Sequence, residues 1–359
     1  MRCATRRFSV RSSYSNDDVI LLLKDITGQV EPQPTKEREK LIQAGKHYCE
    51  MLPIEYVPSE KYMEVYKEAL KQYSKPVAEA VVRLGDKIIA KKGKDVVLVS
   101  LARAGIPIGI LLKRYIKEKY KINPLHYSIS IIRGRGIDDN AMKYILKRHE
   151  AKDLLFVDGW IGKGAILNEL KKDLEAYEGV SSDIAVIADP ANVTELCGTH
   201  EDILIPSSCL NSTVSGLISR TFLRDDIIGK DDFHGAVYYE ELKGSDLSYE
   251  FINVIENEFK EIIVKKDDKK VEGFGIDEVK EIGKQFEIED INLIKPGIGE
   301  TTRVLLRRVP WKVLIDKKYI GDSSIAHIVR LAKEKKVKIE YYPLKHYKTC
   351  GIIKKFSDA

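Results

Sequence analysis

Between residues 95 and 188, four short apolar runs alternate with helix-length amphipathic stretches, and this alternation narrows the fold more than any other feature. Residues 96–100 (V-V-L-V-S), 125–132 (L-H-Y-S-I-S-I-I), 154–157 (L-L-F-V) and 184–188 read as strands buried on both faces. Residues 108–119, 141–149 and 165–177 read as the helices between and after them. Such alternation predicts an α/β fold with a mostly parallel sheet covered on both sides. Ligand sites are then expected in loops beyond the carboxyl ends of the strands. Upstream, 17–24 (D-D-V-I-L-L-L-K), 38–51, 61–73 and 77–92 carry helical patterns.

The chain has 359 residues, enough for two or three domains at ~100–200 residues each. It contains no run of 18 uncharged apolar residues, so no membrane-spanning helix is expected. Cys3, Cys49, Cys197, Cys209 and Cys350 are scattered and odd in number, which argues against a disulfide scaffold and for a reducing, cytoplasmic setting. Arg2, Arg6, Arg7 and Arg11 without an acid among the first sixteen residues are read as a frayed N-terminus rather than an import signal. The run 265–270 (K-K-D-D-K-K) is the best linker candidate. Residues 294–359 hold 16 Lys and Arg against 6 Asp and Glu, a basic unit that suits a polyanionic partner. Within that unit 312–316 and 337–342 read as strands, and 301–308 and 323–335 as helices.

Four constellations carry candidate chemistry. In 156–165 (F-V-D-G-W-I-G-K-G-A) a strand delivers Asp158, and Gly159, Gly162, Lys163, Gly164 and Ala165 form a turn into a helix, suited to a phosphate. In 99–107 (V-S-L-A-R-A-G-I-P) Ser100, Ala102, Ala104 and Gly105 leave backbone open to an anion that Arg103 grips. In 133–139 (R-G-R-G-I-D-D) Arg133 and Arg135 lie on a glycine-hinged segment suited to a lid. In 205–221 the hydroxyl-rich run offers Ser207, Ser208, Asn211, Ser215 and Arg220 for an acceptor, with Cys209 and the later His234 as a nucleophile and base. Cys197, His200, Cys209 and His234 were weighed as a zinc set, but the paired spacing of such sites is missing. His47, in G-K-H-Y-C-E-M-L-P, is read as a structural histidine. Near the C-terminus, Gly297, Gly299, Glu300, Arg303 and Arg307 combine a glycine turn with a basic helix, and Lys345, His346 and Lys348 lie on a late loop. Together these form a candidate cradle for an RNA backbone.

The order of the loops at 100–105, 133–139 and 158–165 resembles the phosphoribosyltransferase family. More closely, S-L-A-R-A-G-I-P-I-G, I-I-R-G-R-G-I-D and V-D-G-W-I-G-K-G-A-I resemble the phosphoribosyltransferase-like proteins of bacterial tellurite-resistance stress operons. Those proteins add a C-terminal Pelota-type RNA-binding domain, and some are labelled cysteine proteases. The resemblance implies a type I phosphoribosyltransferase-like sheet domain over 1–264 with an N-terminal helical extension. A charged linker and helix over 265–292 and a small α/β Pelota-type domain over 293–359 follow. It implies transfer from a phosphoribosyl donor to a base-like acceptor, with Asp158, Arg103, Arg133 and Arg135 in catalysis. Magnesium would arrive through the substrate, RNA would bind the tail, and a homodimer stays open. One departure stands out: Asp158 is followed by Gly159 and Trp160, so a single acid remains where the family carries two. Two other functions stand beside this one, a cysteine hydrolase using Cys209 and His234, and a non-catalytic phosphoribosyl-metabolite sensor with an RNA-binding tail.

Overall fold

The computed structural model describes residues 9–263 and 272–355. The linker expected at 265–270, with Arg2, Arg6 and Arg7, lies outside them. Six strands form one sheet in the spatial order Ile20–Leu21, His126–Ile129, Val97–Leu101, Leu154–Trp160, Ile184–Ala188, Cys197–Thr199, and every neighbouring pair is parallel. Side chains alternate between two cores, as a strand period of two requires. Leu98, Leu155, Val157, Ala185 and Ile187 face a core shared with the helices Glu60–Lys92 and Gly105–Tyr120. Val97, Val99, Leu154, Phe156, Ile184 and Val186 face the opposite core, closed by the helices Asp139–Leu146 and Ala165–Leu174. The α/β fold and parallel sheet read from the sequence are therefore present.

Three local expectations differ. Residues 17–24 are not a helix. Ile20–Leu21 pairs with Tyr127–Ser128 at the sheet edge, and Lys24–Asp25 pairs with Gly235–Ala236. Leu21, Leu22 and Leu23 are all buried, and an apolar run buried on every side has no period to separate strand from helix. Residues 38–51 divide into the helix Thr35–Gln43 and a short turn of 3-10 helix, Tyr48–Glu50. The two helices expected on either side of Pro76 are one, Glu60–Lys92. Tyr66, Ala69 and Tyr73 before the proline and Val77, Val81, Leu84 and Ile88 after it bury one continuous face, which outweighs the hydrogen bond that proline forgoes.

The second domain carries a four-stranded sheet in the order Ile294–Pro296, Thr349–Ile353, Pro310–Ile315, Lys338–Tyr341. The helix Gly275–Gln285, expected in the linker, belongs to its packing, because Val279 and Ile282 share a core with Ile294, Leu314 and Tyr347. The two domains are closely joined. The Tyr347 hydroxyl donates to the Gly162 carbonyl at 2.7 Å and that of Tyr73 to Ser324 at 3.1 Å, and Arg330 meets Glu68 with two bonds of 2.9 Å. Among the described residues no helix is long and apolar enough to cross a membrane.

The long helix lies directly on the edge strand Cys197–Thr199: a Cβ added at Gly198 would sit 2.4 Å from the Ala80 carbonyl oxygen. Gly198→Ala is expected to lower stability by about 1–3 kcal/mol, the usual cost of overpacking. Urea unfolding of the full chain reads the loss. An unchanged midpoint would mean the helix is not seated on this strand.

Candidate functional site

The strand tips converge as the parallel sheet demands. Val97–Leu101 and Leu154–Trp160 are neighbours, so the loops carrying Arg103 and Asp158 lie side by side. Their side chains are already engaged. Ser100 donates to the Gly105 carbonyl at 2.9 Å and meets His126 Nε2 at 2.7 Å. Arg103 donates to the Ile218 carbonyl at 2.7 Å and pairs with Glu55 at 3.4 Å. Ala102 and Ala104 flank Arg103 in the same turn. Asp158 accepts from the Gly159 amide at 2.7 Å, and burial pushes its carboxyl up to about 7.

The glycine turn after Asp158 serves the junction between domains. Lys163 donates to the carbonyls of Ile291 and Ile294, and burial lowers its ammonium to about 8. Gly164 has a left-handed backbone and precedes the helix that begins at Ala165. Over the turn lies the second domain's helix Ile298–Arg307. The Arg303 guanidinium is 5.7 Å from the Trp160 ring centre and pairs with Glu300 at 3.2 Å. The space left between Trp160, Gly162, Asp202, Ser208, Gly299 and Glu300 is about 10 Å³, at the lower limit for one water. A doubly phosphorylated sugar does not fit there.

The face expected to grip RNA is turned inward. Asp202 of the first domain accepts the Ile298 amide through both carboxylate oxygens, at 2.9 and 3.1 Å, and the Lys348 amide at 2.9 Å. An internal carboxylate thus occupies the helix N-terminus where a phosphate was expected. Gly297 has φ +92°, and a Cβ there would stand 3.1 Å from Asp202. Gly299 lies against Ser208 and Trp160. Arg307 donates to Asn211 at 2.5 Å and approaches the Ser208 carbonyl at 3.4 Å. Lys345 is exposed, and its amide donates to Glu278.

Arg133, Gly134 and Arg135 form the hairpin turn between Ile131–Ile132 and Gly136–Ile137. It is pinned rather than free. The Arg133 amide donates to the Tyr48 hydroxyl at 3.0 Å and its guanidinium to Asn292 at 2.8 Å, while Arg135 pairs with Glu50 at 2.9 Å. The Gly134 and Ile137 amides donate to Glu169 and Asp173.

The structure does not bring Cys209 and His234 together. Cys209 lies in the apolar core, and burial pushes its thiol up to about 12. His234 meets the Ser130 hydroxyl at 2.9 Å, and its amide donates to Asp138 at 2.6 Å. Ser207 is partly buried beside buried Ser208, and Ser215 donates to the Asn211 carbonyl. Of the zinc set, Cys197 and His200 lie together without Cys209 or His234, and among the described residues no three His, Cys, Asp or Glu side chains gather to hold a metal.

Two other thiols do meet a histidine. His47 Nδ1 lies 2.9 Å from Cys49 Sγ, and its Nε2 lies 3.1 Å from the Arg133 carbonyl. Because a carbonyl only accepts, Nε2 carries the proton, and the Nδ1 lone pair faces the thiol. Cys49 is fully buried, and desolvation raises its thiol to about 11, against the opposing pull of Arg135 and Arg220. Cys197 Sγ lies 3.4 Å from His200 Nε2, whose Nδ1 is 3.0 Å from the Asp189 carbonyl and 3.9 Å from its carboxylate. The first pair escaped sequence reading: His47 caps the 3-10 turn Tyr48–Glu50 and its ring folds back onto Cys49, a local geometry that residue spacing alone does not give.

A family model described as "Tellurite-like stress resistance cysteine protease StiP" matches residues 12–256, and one described as "PELOTA RNA binding domain" matches 274–355. A protein of Acinetobacter baylyi (strain ATCC 33305 / BD413 / ADP1) named "Cysteine protease StiP" is 34% identical over 341 residues, covering 89% of this chain and 88% of that one. This chain belongs to the StiP family. Among solved structures, a hypoxanthine-guanine phosphoribosyltransferase from Bacillus anthracis matches 32% of this chain and 68% of its own at 19% identity and TM-score 0.25. A xanthine-guanine-hypoxanthine phosphoribosyltransferase from Helicobacter pylori matches 33% and 72% at 17% identity and TM-score 0.22. Likeness at that level carries no argument about activity.

The expectation of a phosphoribosyltransferase is therefore corrected. The StiP family and the 34% identical relative carry the name of a cysteine protease. The second domain's helix lying over the turn after Asp158 supplies a physical reason. Because the folded pKa of Asp158 is raised, its contribution to stability is complete below its unfolded pKa near 4 and is lost as pH rises through about 7. Asp158→Asn keeps the acceptor for Gly159 and is expected to remove part of the decline in Tm between pH 4 and 7. An unaltered decline would show that this carboxyl is not held neutral.

Proposed function

We propose that this StiP-family protein is a thiol peptidase in a tellurite-type stress response, with Cys49 as nucleophile and His47 as base. One observation carries the reading: the 2.9 Å contact between Nδ1 and Sγ, with the histidine tautomer set by the Arg133 carbonyl. In the acylation step the thiol proton passes to Nδ1, and Sγ bonds to the peptide carbonyl carbon. The C–N bond then breaks, and His47 returns the proton to the leaving amine. Water, deprotonated by His47, opens the thioester, releasing a carboxylic acid and restoring the thiol. Since Cys49 is fully buried, a substrate reaches it only when the hairpin turn against His47 moves aside. Release from burial also leaves Arg220, unlike the Glu50-paired Arg135, to lower the thiol pKa.

A second reading places the nucleophile at Cys197, because Asp189 stands behind His200 in the order of a catalytic triad. It is the weaker one, since Cys197 packs in the apolar core beneath the sheet. Cys49→Ser is expected to abolish cleavage of a fluorescent casein substrate, and Cys197→Ser to retain it. The reverse result would move the site to Cys197. Magnesium belongs to the transfer chemistry, and EDTA is expected to leave cleavage unchanged. In the resting protein, alkylation of Cys49 by iodoacetamide is expected to rise about tenfold per pH unit between pH 8 and 10, as the thiolate fraction does below a pKa of about 11. A flat profile would place the thiol pKa below this range.

RNA binding falls to the Pelota domain, and the face made by Gly297, Gly299, Arg303 and Arg307 suits it once freed from Asp202. Asp202→Asn weakens that internal cap. It is expected to tighten binding of a labelled hairpin RNA severalfold, with affinity falling as salt rises. Unchanged affinity would place the RNA on another face.

A further inference from the structure

Four arginines surround the Cys49 pair, and they are not equivalent. Arg135 is neutralised by Glu50 at 2.9 Å, and Arg224 by Asp226 at 2.5 and 2.9 Å. Arg133 meets only the neutral side chain of Asn292. Among the described residues the Arg220 guanidinium makes no hydrogen bond and no ion pair; it lies 4.9 Å from the Tyr48 ring centre. That ring lies 4.5 Å from the His47 ring, which in turn touches Cys49. A short stack thus leads from an unneutralised guanidinium to the thiol.

Apart from the neutral phenol of Tyr48, the groups that bear most on Arg220 are positive. Arg38, Arg103 and Arg308 join burial in lowering its guanidinium to about 10, and the nearby acid Glu55 is already taken by Arg103. Arg220 is only partly exposed, so its unpaired guanidinium gains from an anion that reaches it from solvent. A basic substrate side chain would be repelled, and a neutral one would leave the guanidinium unpaired. A carboxylate matches the fork with two charge-assisted bonds. Neighbouring residues of an extended peptide lie ~3.3–3.6 Å apart, so such a side chain falls within a residue or two of the carbonyl under attack.

We propose that the Cys49 site takes peptides with an Asp or Glu beside the scissile bond, and that Arg220, helped by Arg133, receives that carboxylate. This substrate class rests on the thiol-peptidase reading given above, and its test has one arm independent of cleavage. In that arm the full-length Cys49→Ser protein is titrated with fluorescein-labelled Gly-Ser-Glu-Glu-Ser-Gly and with its Gln-Gln counterpart, followed by anisotropy at low and high salt. The Glu peptide is expected to bind about tenfold tighter, the size of a charge-assisted pair. Arg220→Gln should bring the ratio close to one, and Arg133→Gln should reduce it. Arg133→Gln also serves if the Arg220 variant does not fold. Equal binding of the two peptides, or a ratio indifferent to both arginines, overturns the proposal.

The second arm digests a tryptic peptide mixture with the wild-type chain and maps the new ends by mass spectrometry. Acidic residues are expected to be enriched within two positions of the cut, and Arg220→Gln should erase the enrichment. Cuts that persist in Cys49→Ser would remove the nucleophile assignment while leaving the binding result to stand or fall alone. Cuts that need Cys49 but ignore acidity would remove the substrate class and leave the nucleophile.

Discussion

The Asp202 carboxylate is the interaction on which the arrangement of the molecule depends. It leaves the end of the parallel sheet, caps the helix Ile298–Arg307 through the Ile298 amide and holds the late loop through the Lys348 amide. Burial pushes its carboxyl up to about 6, so at neutral pH the ion is retained by those amides against desolvation. With the helix fixed there, Arg303 reaches Trp160, Arg307 reaches Asn211, and the Tyr347 hydroxyl reaches Gly162. Each contact fills space that a parallel α/β sheet ordinarily offers a ligand. The sheet therefore keeps its geometry at the strand tips while the cradle there is given over to holding two domains together.

On the proposed reading, this displacement moves the chemistry away from the strand tips. A thiol peptidase needs a nucleophile and a base with a defined tautomer, at a place a chain can reach. Cys209 offers none of these, because it is closed into the core and lacks a histidine. Cys49 offers the first two, and it belongs to none of the three apolar clusters: its sulfur lies against His47 and the Leu223 carbonyl. The cost of that burial is a thiol held largely protonated, which keeps the resting site unreactive. On the proposed thiol-peptidase reading, the reactivity of this site would be set by solvation, since desolvation is the largest influence on its thiol.

Much of the fold was legible because it rests on period and length. The strand Ile184–Ala188 matches its expected run, and the other central strands begin within one residue of theirs. The buried apolar run around Leu22 was not legible, since burial on all sides erases the period that separates strand from helix. Neither was the continuity of Glu60–Lys92 through Pro76, because tertiary burial outweighed a local rule. The site was legible only in its parts. Asp158 and Arg103 were expected at adjacent strand tips and are there, but the helix covering them comes from more than a hundred residues away. His47 and Cys49 were visible as neighbours in sequence. What was missing was the Arg133 carbonyl, 86 residues distant, which turns a local capping histidine into an oriented base.

Arg133 also ties these levels together. Its guanidinium reaches Asn292 at the entrance to the second domain, its amide reaches Tyr48, and its carbonyl reaches His47. Three bonds from one residue connect the position of the second domain, the covering of the thiol and the tautomer of the base. These three properties are therefore not independent. A shift of the second domain large enough to break the Asn292 bond removes one of the restraints on the turn that covers Cys49. In the structure the covered thiol and the capped helix face therefore occur together, joined through bonds that are each individually modest.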